Sequence, residues 1–192
     1  VKVNELNLNH WSLESVWDAV DSTSEVVLSE EAKQAVVECR KYLEKRLDDS
    51  SEPTIYGVNT GFGDLAHTRV NSDQLSELQR NLLISHACGV GDDVPEQIVK
   101  AMLLLKVKAL SKGHSGIQLQ TIQRLIDHLN ERVFPVIPSQ GSLGASGDLA
   151  PLAHMVLPLI GEGEVKIDGV PVPAVDVLAA KGWSPLKLGA KE

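Results

Sequence analysis

The stretch at 139–155, SQGSLGASGDLAPLAHM, sets Ser142, Ser146 and Asp148 among three glycines, the most unusual grouping of reactive side chains in the chain. On residue types alone it reads as a Gly/Ser turn feeding a helix, with Asp148 near the N-terminus and Pro151 in the first turn. Ala-Ser-Gly by itself carries no information, because three such common residues meet often by chance. Ser146 is not a hydrolase nucleophile either, since Gly144-Ala145-Ser146-Gly147-Asp148 lacks the second glycine of G-x-S-x-G. Tyr56 heads a second unusual segment, YGVNTGFGDLAHTRV. A phenol titrates near 10, so a tyrosine base needs positive charge or helix N-termini close by; the plainer role is packing or capping. His86, in NLLISHACGVG, can bond a heteroaromatic ring and handle a proton near neutral pH, or can be a helix histidine satisfied by backbone. Gly61-Phe62-Gly63-Asp64-Leu65-Ala66 fits a dinucleotide fingerprint, but no strand and βαβ unit frame it, and that reading is rejected. Cys88, two residues beyond His86, reads as a small packing hydrophobe. His10, His67, His114, His128 and His154 show no metal-ligand spacing and receive no role.

The elements that must position these residues are mostly helical. Ser29 as N-cap opens a helix over 29–49 whose Ala32, Ala35, Val36, Cys39, Leu43 and Leu47 recur every three or four residues. A second helix starts near Ser72 and carries Leu75, Leu78, Leu82 and Leu83. Pro95 fits the first helical position of a third, and Ile117, Ile122, Leu125, Ile126 and Leu129 mark a fourth that breaks before Pro135 and Pro138. Residues 51–70 show no helical stripe and read as a long loop, a kind that is usually functional inside a compact domain. Asp168-Gly169 in EVKIDGVPV signals a hairpin near 164–173, and a short helix at about 174–181 stops at Gly182. The class is mainly α. Only 130–150, with its prolines and glycines, resembles a boundary.

Composition excludes several functions. Eighteen Lys and Arg against 26 Asp and Glu leave a net charge of −8. Residues 1–52 carry 12 acids and 6 bases, so the excess is concentrated there. Such a balance argues against nucleic-acid and anionic-membrane surfaces. Two cysteines cannot build a disulfide framework, and no apolar run approaches the roughly 18–20 residues needed to span a bilayer. A soluble, cytoplasmic protein is expected.

GSLGASGDLAPLAH at 141–154 resembles the signature of the aromatic amino acid ammonia-lyases, the family of histidine, phenylalanine and tyrosine ammonia-lyases and their aminomutase relatives. YGVNTGFGDLAHTRV at 56–70, NLLISHACGVG at 81–91, KGHSGI at 112–117 and GEGEV at 161–165 are similar to further shared segments, so the resemblance covers nearly everything from residue 50 onward. It implies that Ala145, Ser146 and Gly147 cyclise to the electrophile 4-methylidene-imidazol-5-one (MIO). The residue types suit this: Gly147 nitrogen must reach the Ala145 carbonyl carbon through a sharp bend that glycine permits, and loss of the Ser146 hydroxyl leaves an exocyclic alkene.

The resemblance also implies roles. Tyr56 takes the β-proton of the substrate, Asp148 helps move protons, and Gly63, Ser85 and Leu149 line the substrate pocket. Ser85-His86 resembles the pair of the histidine enzymes, where His-Leu and Phe-Leu mark the tyrosine and phenylalanine enzymes; some tyrosine aminomutases also carry Ser-His. The implied reaction is loss of ammonia from L-histidine to give trans-urocanate, with no metal and no nucleotide. A tyrosine or phenylalanine ammonia-lyase or a tyrosine 2,3-aminomutase is the alternative. Residues 1–192 are expected to be the N-terminal, electrophile-forming domain of a longer lyase, with a Tyr loop at 51–70 and an electrophile loop at 139–150. A C-terminal helical bundle is then missing, and it would supply the carboxylate-binding arginine. In the family each site is built from several subunits of a homotetramer. The 192-residue chain is therefore expected to be inactive alone, a non-catalytic folding or assembly unit that self-associates through exposed apolar faces.

Overall fold

The computed structural model describes residues 3–48, 54–60, 70 and 74–192. Two four-residue strands, β1 (Val3–Leu6) and β2 (Glu25–Leu28), pair in parallel through the intervening α1 (Leu13–Asp21). Ser12 Oγ accepts from Ser15 N at 3.2 Å and starts that helix. Leu6, Val26 and Leu28 are buried, and the outer edge of β2 is closed by Asn130, whose side chain accepts from Val26 N at 2.8 Å and donates to Val26 O at 3.0 Å. A side-chain amide thus replaces a third strand. Sequence periodicity did not predict α1 or this pair, because four-residue strands offer too short a pattern to read.

Helix α2 (Glu30–Asp48) opens as expected, with Ser29 Oγ accepting from Ala32 N at 3.1 Å. Helices α3 (Leu75–His86), α4 (Glu96–Leu110) and α5 (Leu119–Asn130) follow. Ser72, the expected start of α3, lies outside the described residues. Pro95 stands one place earlier than expected, as the N-cap of α4, with its fixed φ of −55° leading the chain into the helix. Leu103, Leu104, Ile122, Leu125 and Ile126 of α4 and α5 are essentially inaccessible and form the main core with α1 and the β1–β2 pair. Burial of each contributes about 1.5–3 kcal/mol relative to exposure. Ile117, assigned to α5 from its spacing, precedes the helix and packs on the same core.

The link between α4 and α5 lies flat on α2, and glycine makes this possible. At Gly113 (φ 70°) a Cβ would stand 2.6 Å from the Ala35 carbonyl, and at Gly116 (φ 76°) 2.7 Å from Leu43 Cδ2. The KGHSGI segment therefore has a packing duty. Residues 130–150 are not a boundary. In a three-stranded antiparallel sheet β4 (Phe134–Pro135) pairs with β6 (Glu164–Ile167), and β6 with β7 (Val170–Pro173). A second ladder joins β3 (Val90–Asp93) to β5 (Pro138–Gln140). Asp168 (φ 49°) and Gly169 (φ 82°) make the expected hairpin turn, both central residues left-handed. Helix α6 (Leu149–Val156) precedes these last strands, and α7 (Ala174–Lys181) stops at Gly182 (φ 68°). Among the described residues no helix is long and apolar enough to cross a membrane.

His128 of α5 is fully buried against Trp183, ring centroids 5.4 Å apart, and its Nδ1–H donates to Val133 O at 2.9 Å. Burial pushes its pKa down to about 4, the backbone bond opposing and the nearby Arg124 and Lys181 charges adding. The folded state thus holds the ring neutral while the unfolded chain takes a proton below about 6.5. This group's contribution, on the order of 3 kcal/mol, is complete above that pH and is lost as pH falls toward about 4. The urea midpoint should therefore drop between pH 7.5 and pH 4.5, and more steeply for the wild type than for His128→Leu; equal slopes would show that His128 is not the group responsible.

Candidate active site

Ala145 and Ser146 sit in a single 3-10 turn, Gly144–Ser146, with Gly147 as its C-cap, on an exposed stretch from 139 to 149. Two backbone bonds tighten the turn: Ser146 N donates to Leu143 O at 2.8 Å and Gly147 N to Gly144 O at 3.2 Å. Ser146 Oγ also donates to Leu143 O at 2.8 Å. Gly147 is left-handed (φ 87°), and nothing lies within 4 Å of where its Cβ would stand. Asp148 follows in the same conformation (φ 56°, ψ 43°), which costs a residue with a side chain roughly 1 kcal/mol or more. Two consecutive left-handed residues turn the chain from the 3-10 turn directly into α6. Ser142 Oγ donates to Asp148 Oδ1 and closes the loop across six residues, and the N-terminus of α6 favours that carboxylate.

Tyr56 is 60% exposed, on a turn in which Val58 N and Asn59 N both donate to Ile55 O, at 3.1 and 3.2 Å. The turn is locked from beneath. Buried Asn59 accepts from Ile55 N at 2.7 Å through Oδ1 and from Val70 N at 2.9 Å through its carbonyl, and Thr60 Oγ1 accepts from Gly57 N at 3.2 Å. Asn59 and Thr60 were not singled out from sequence, although an Asn-Thr pair beside glycines is a recognisable turn signal. Gly63 lies outside the described residues.

His86 ends α3, half-buried, with Nδ1 2.7 Å from Leu82 O and 3.2 Å from Ser85 Oγ. A nitrogen so close to a carbonyl carries a proton, so in the neutral ring it is Nε2 that holds the lone pair. Exposed Ser85 donates to the same Leu82 carbonyl at 2.9 Å. His86 and Leu149 meet in one cavity of about 340 Å³ walled by leucines of α3, α4 and α6, with Lys106, Lys191 and Glu192 also lining it. Tyr56 and the Ala145–Gly147 turn do not line that cavity. The Glu192 carboxylate is saturated: Oε1 accepts from Thr121 Oγ1 at 2.5 Å and Gln118 N at 3.2 Å, Oε2 from Gln118 Nε2 at 2.7 Å and Gly189 N at 2.8 Å. Among the described residues no three His, Cys, Asp or Glu side chains are grouped to hold a metal ion.

The family model for aromatic amino acid lyases matches residues 11–192. A histidine ammonia-lyase of Natranaerobius thermophilus is 47% identical over 97% of this chain, and the match covers 36% of that protein. Among solved structures, tyrosine aminomutase from Streptomyces globisporus superimposes with a TM-score of 0.90 at 36% identity, over 100% of this chain and 35% of that one. Histidine ammonia-lyase from Trypanosoma cruzi does so with a TM-score of 0.87 at 34% identity, over 100% and 36%. The chain spans about a third of the length of the curated relatives it matches.

The Asn59 lock gives a direct test. Asn59→Ala leaves the Ile55 N–H without its acceptor and should lower stability by about 1–3 kcal/mol. Its effect on amide exchange should fall on 54–60, while Asn59→Asp, which keeps the acceptor, should restore most of the protection. Unchanged exchange at 54–60 in Asn59→Ala would remove the lock from the account of Tyr56.

Proposed function

Because this chain belongs to the aromatic amino acid lyase family, we propose that it carries the electrophile-forming region of a histidine ammonia-lyase, which eliminates ammonia from L-histidine to give trans-urocanate. The observation that supports this most directly is the conformation of 144–147. Its 3-10 turn already folds the tripeptide back on itself, and the left-handed, unobstructed Gly147 suits the bend that cyclisation requires. Gly147 nitrogen is bonded to the Gly144 carbonyl, one residue before the Ala145 carbonyl it must attack, so cyclisation exchanges that hydrogen bond for the new ring bond. Ala145, Ser146 and Gly147 therefore fit the MIO group, which when formed supplies an electron-poor alkene to the substrate.

The chain's other residues divide the remaining work. Asp148, held by Ser142, accepts and returns protons beside the turn. Tyr56 removes the substrate β-proton. His86 offers Nε2 to the imidazole N–H of histidine, with its own ring fixed by Leu82, and Leu149 and Ser85 stand beside it. Gly63 is assigned to the pocket by the motif that contains it. The partner is a small amino acid and the whole enzyme a cytoplasmic homotetramer. Having about a third of the length of its relatives, the 192-residue chain does not turn over substrate alone. Tyrosine aminomutase is the second reading, favoured by the structural match to such an enzyme and by the Ser-His pair.

A chimera tests both. Residues 1–192 joined to the remaining two thirds of the Natranaerobius relative should be lighter than its sequence mass by about 36 Da, two waters, and should produce urocanate, read by its ultraviolet absorbance. Ser146→Ala should abolish the mass loss, and Tyr56→Phe should reduce turnover by about 100- to 10,000-fold. The unextended chain should show no urocanate. A preference for L-tyrosine, or a β-amino acid product, would replace the histidine reading with the aminomutase one. An active chimera of unshifted mass would refute the MIO assignment.

A further inference from the structure

The β3–β5 ladder brings the segment that follows His86 alongside the segment that precedes the electrophile turn, with Val90 opposite Gln140. One step beyond that pair the two backbones touch. A Cβ on Gly141 would stand 2.9 Å from Gly89 Cα and 3.3 Å from Ala150 Cβ. Gly89 N–H donates here to a side chain, His154 Nε2, at 3.0 Å. A Cβ on Gly89 would in turn stand 3.1 Å from that nitrogen, so the ring, the Gly89 backbone and the Gly141 backbone form one continuous contact. Gly89 lies three residues after His86, and His154 lies on α6, the helix that leaves the electrophile turn.

We propose that His154 is a positioning residue which fixes the end of α3, with Ser85-His86, against the root of the 141–149 loop. Its functional meaning rests on the reading of those two segments given above. Beyond the β3–β5 ladder, these two segments distant in sequence are joined by this hydrogen bond and the glycine-on-glycine contact, and reacting groups tolerate only about 1 Å of misplacement. To accept from Gly89, His154 must be neutral with its proton on Nδ1. Burial lowers its pKa, which favours the neutral ring.

The test is amide exchange by mass spectrometry on the 192-residue chain. His154→Leu should speed exchange about tenfold or more at both 86–91 and 141–149 while α4 and α5 stay protected. His154→Gln, whose Oε1 can accept from Gly89 N, should recover most of that protection, as a merely space-filling role would not. Gly141→Ala presses on the same contact from the opposite side and should loosen 86–91 with His154 intact; it decides the matter if His154→Leu does not fold. Faster exchange confined to α6, or spread evenly over the chain, would overturn the proposal. These readings do not require the electrophile, so a failure here and a failure of the mass loss in the chimera are separate results.

Discussion

Backbone lying directly on backbone is the constraint on which this structure depends. The α4–α5 link rests on the Ala35 backbone of α2 only because Gly113 has no side chain, and the entry to the 141–149 loop rests on Gly89 only because Gly141 has none. The first contact sets the helical layer and the second sets the loop. Both use positive φ angles that other residues adopt at a cost, so geometry and residue type enforce each other. Hydrophobic burial supplies most of the stabilisation, but it is non-directional and would tolerate small sliding of these elements. The glycine contacts do not.

Features read correctly from the sequence are those whose causes lie within a few residues. Ser29 caps α2 through an amide three residues on, the α5 stripe shows its own period, Asp168-Gly169 builds its own turn, and Gly182 stops α7 locally. The Ala145-Ser146-Gly147 tripeptide was singled out by its resemblance to a family, and its tight turn is again local. What escaped was non-local. Asn130 closes β2 across 104 residues, and His154 reaches Gly89 across 65. Neither histidine nor asparagine announces such a partner, and the pairing exists only once helices and strands are packed.

Two histidines without an assigned role thus prove to do different work. His128 is buried with one ring nitrogen bonded and the other, Nε2, without a partner among the described residues, so it is held neutral at the expense of acid tolerance. His154 is only partly buried, and its Nε2 supplies the acceptor for the Gly89 N–H. The first matters to the stability of the whole domain, the second to the relation between two segments.

The β6–β7 turn has a practical consequence. Its Asp168-Gly169 tip meets no heavy atom within 4 Å of where a Gly169 Cβ would stand, and none of the candidate site residues belongs to it. Exposed tips of this kind accept inserted sequence with little disturbance. An epitope or a surface tether grafted between Asp168 and Gly169 would give a handle for immobilising the chain, leaving the 144–147 turn chemically untouched.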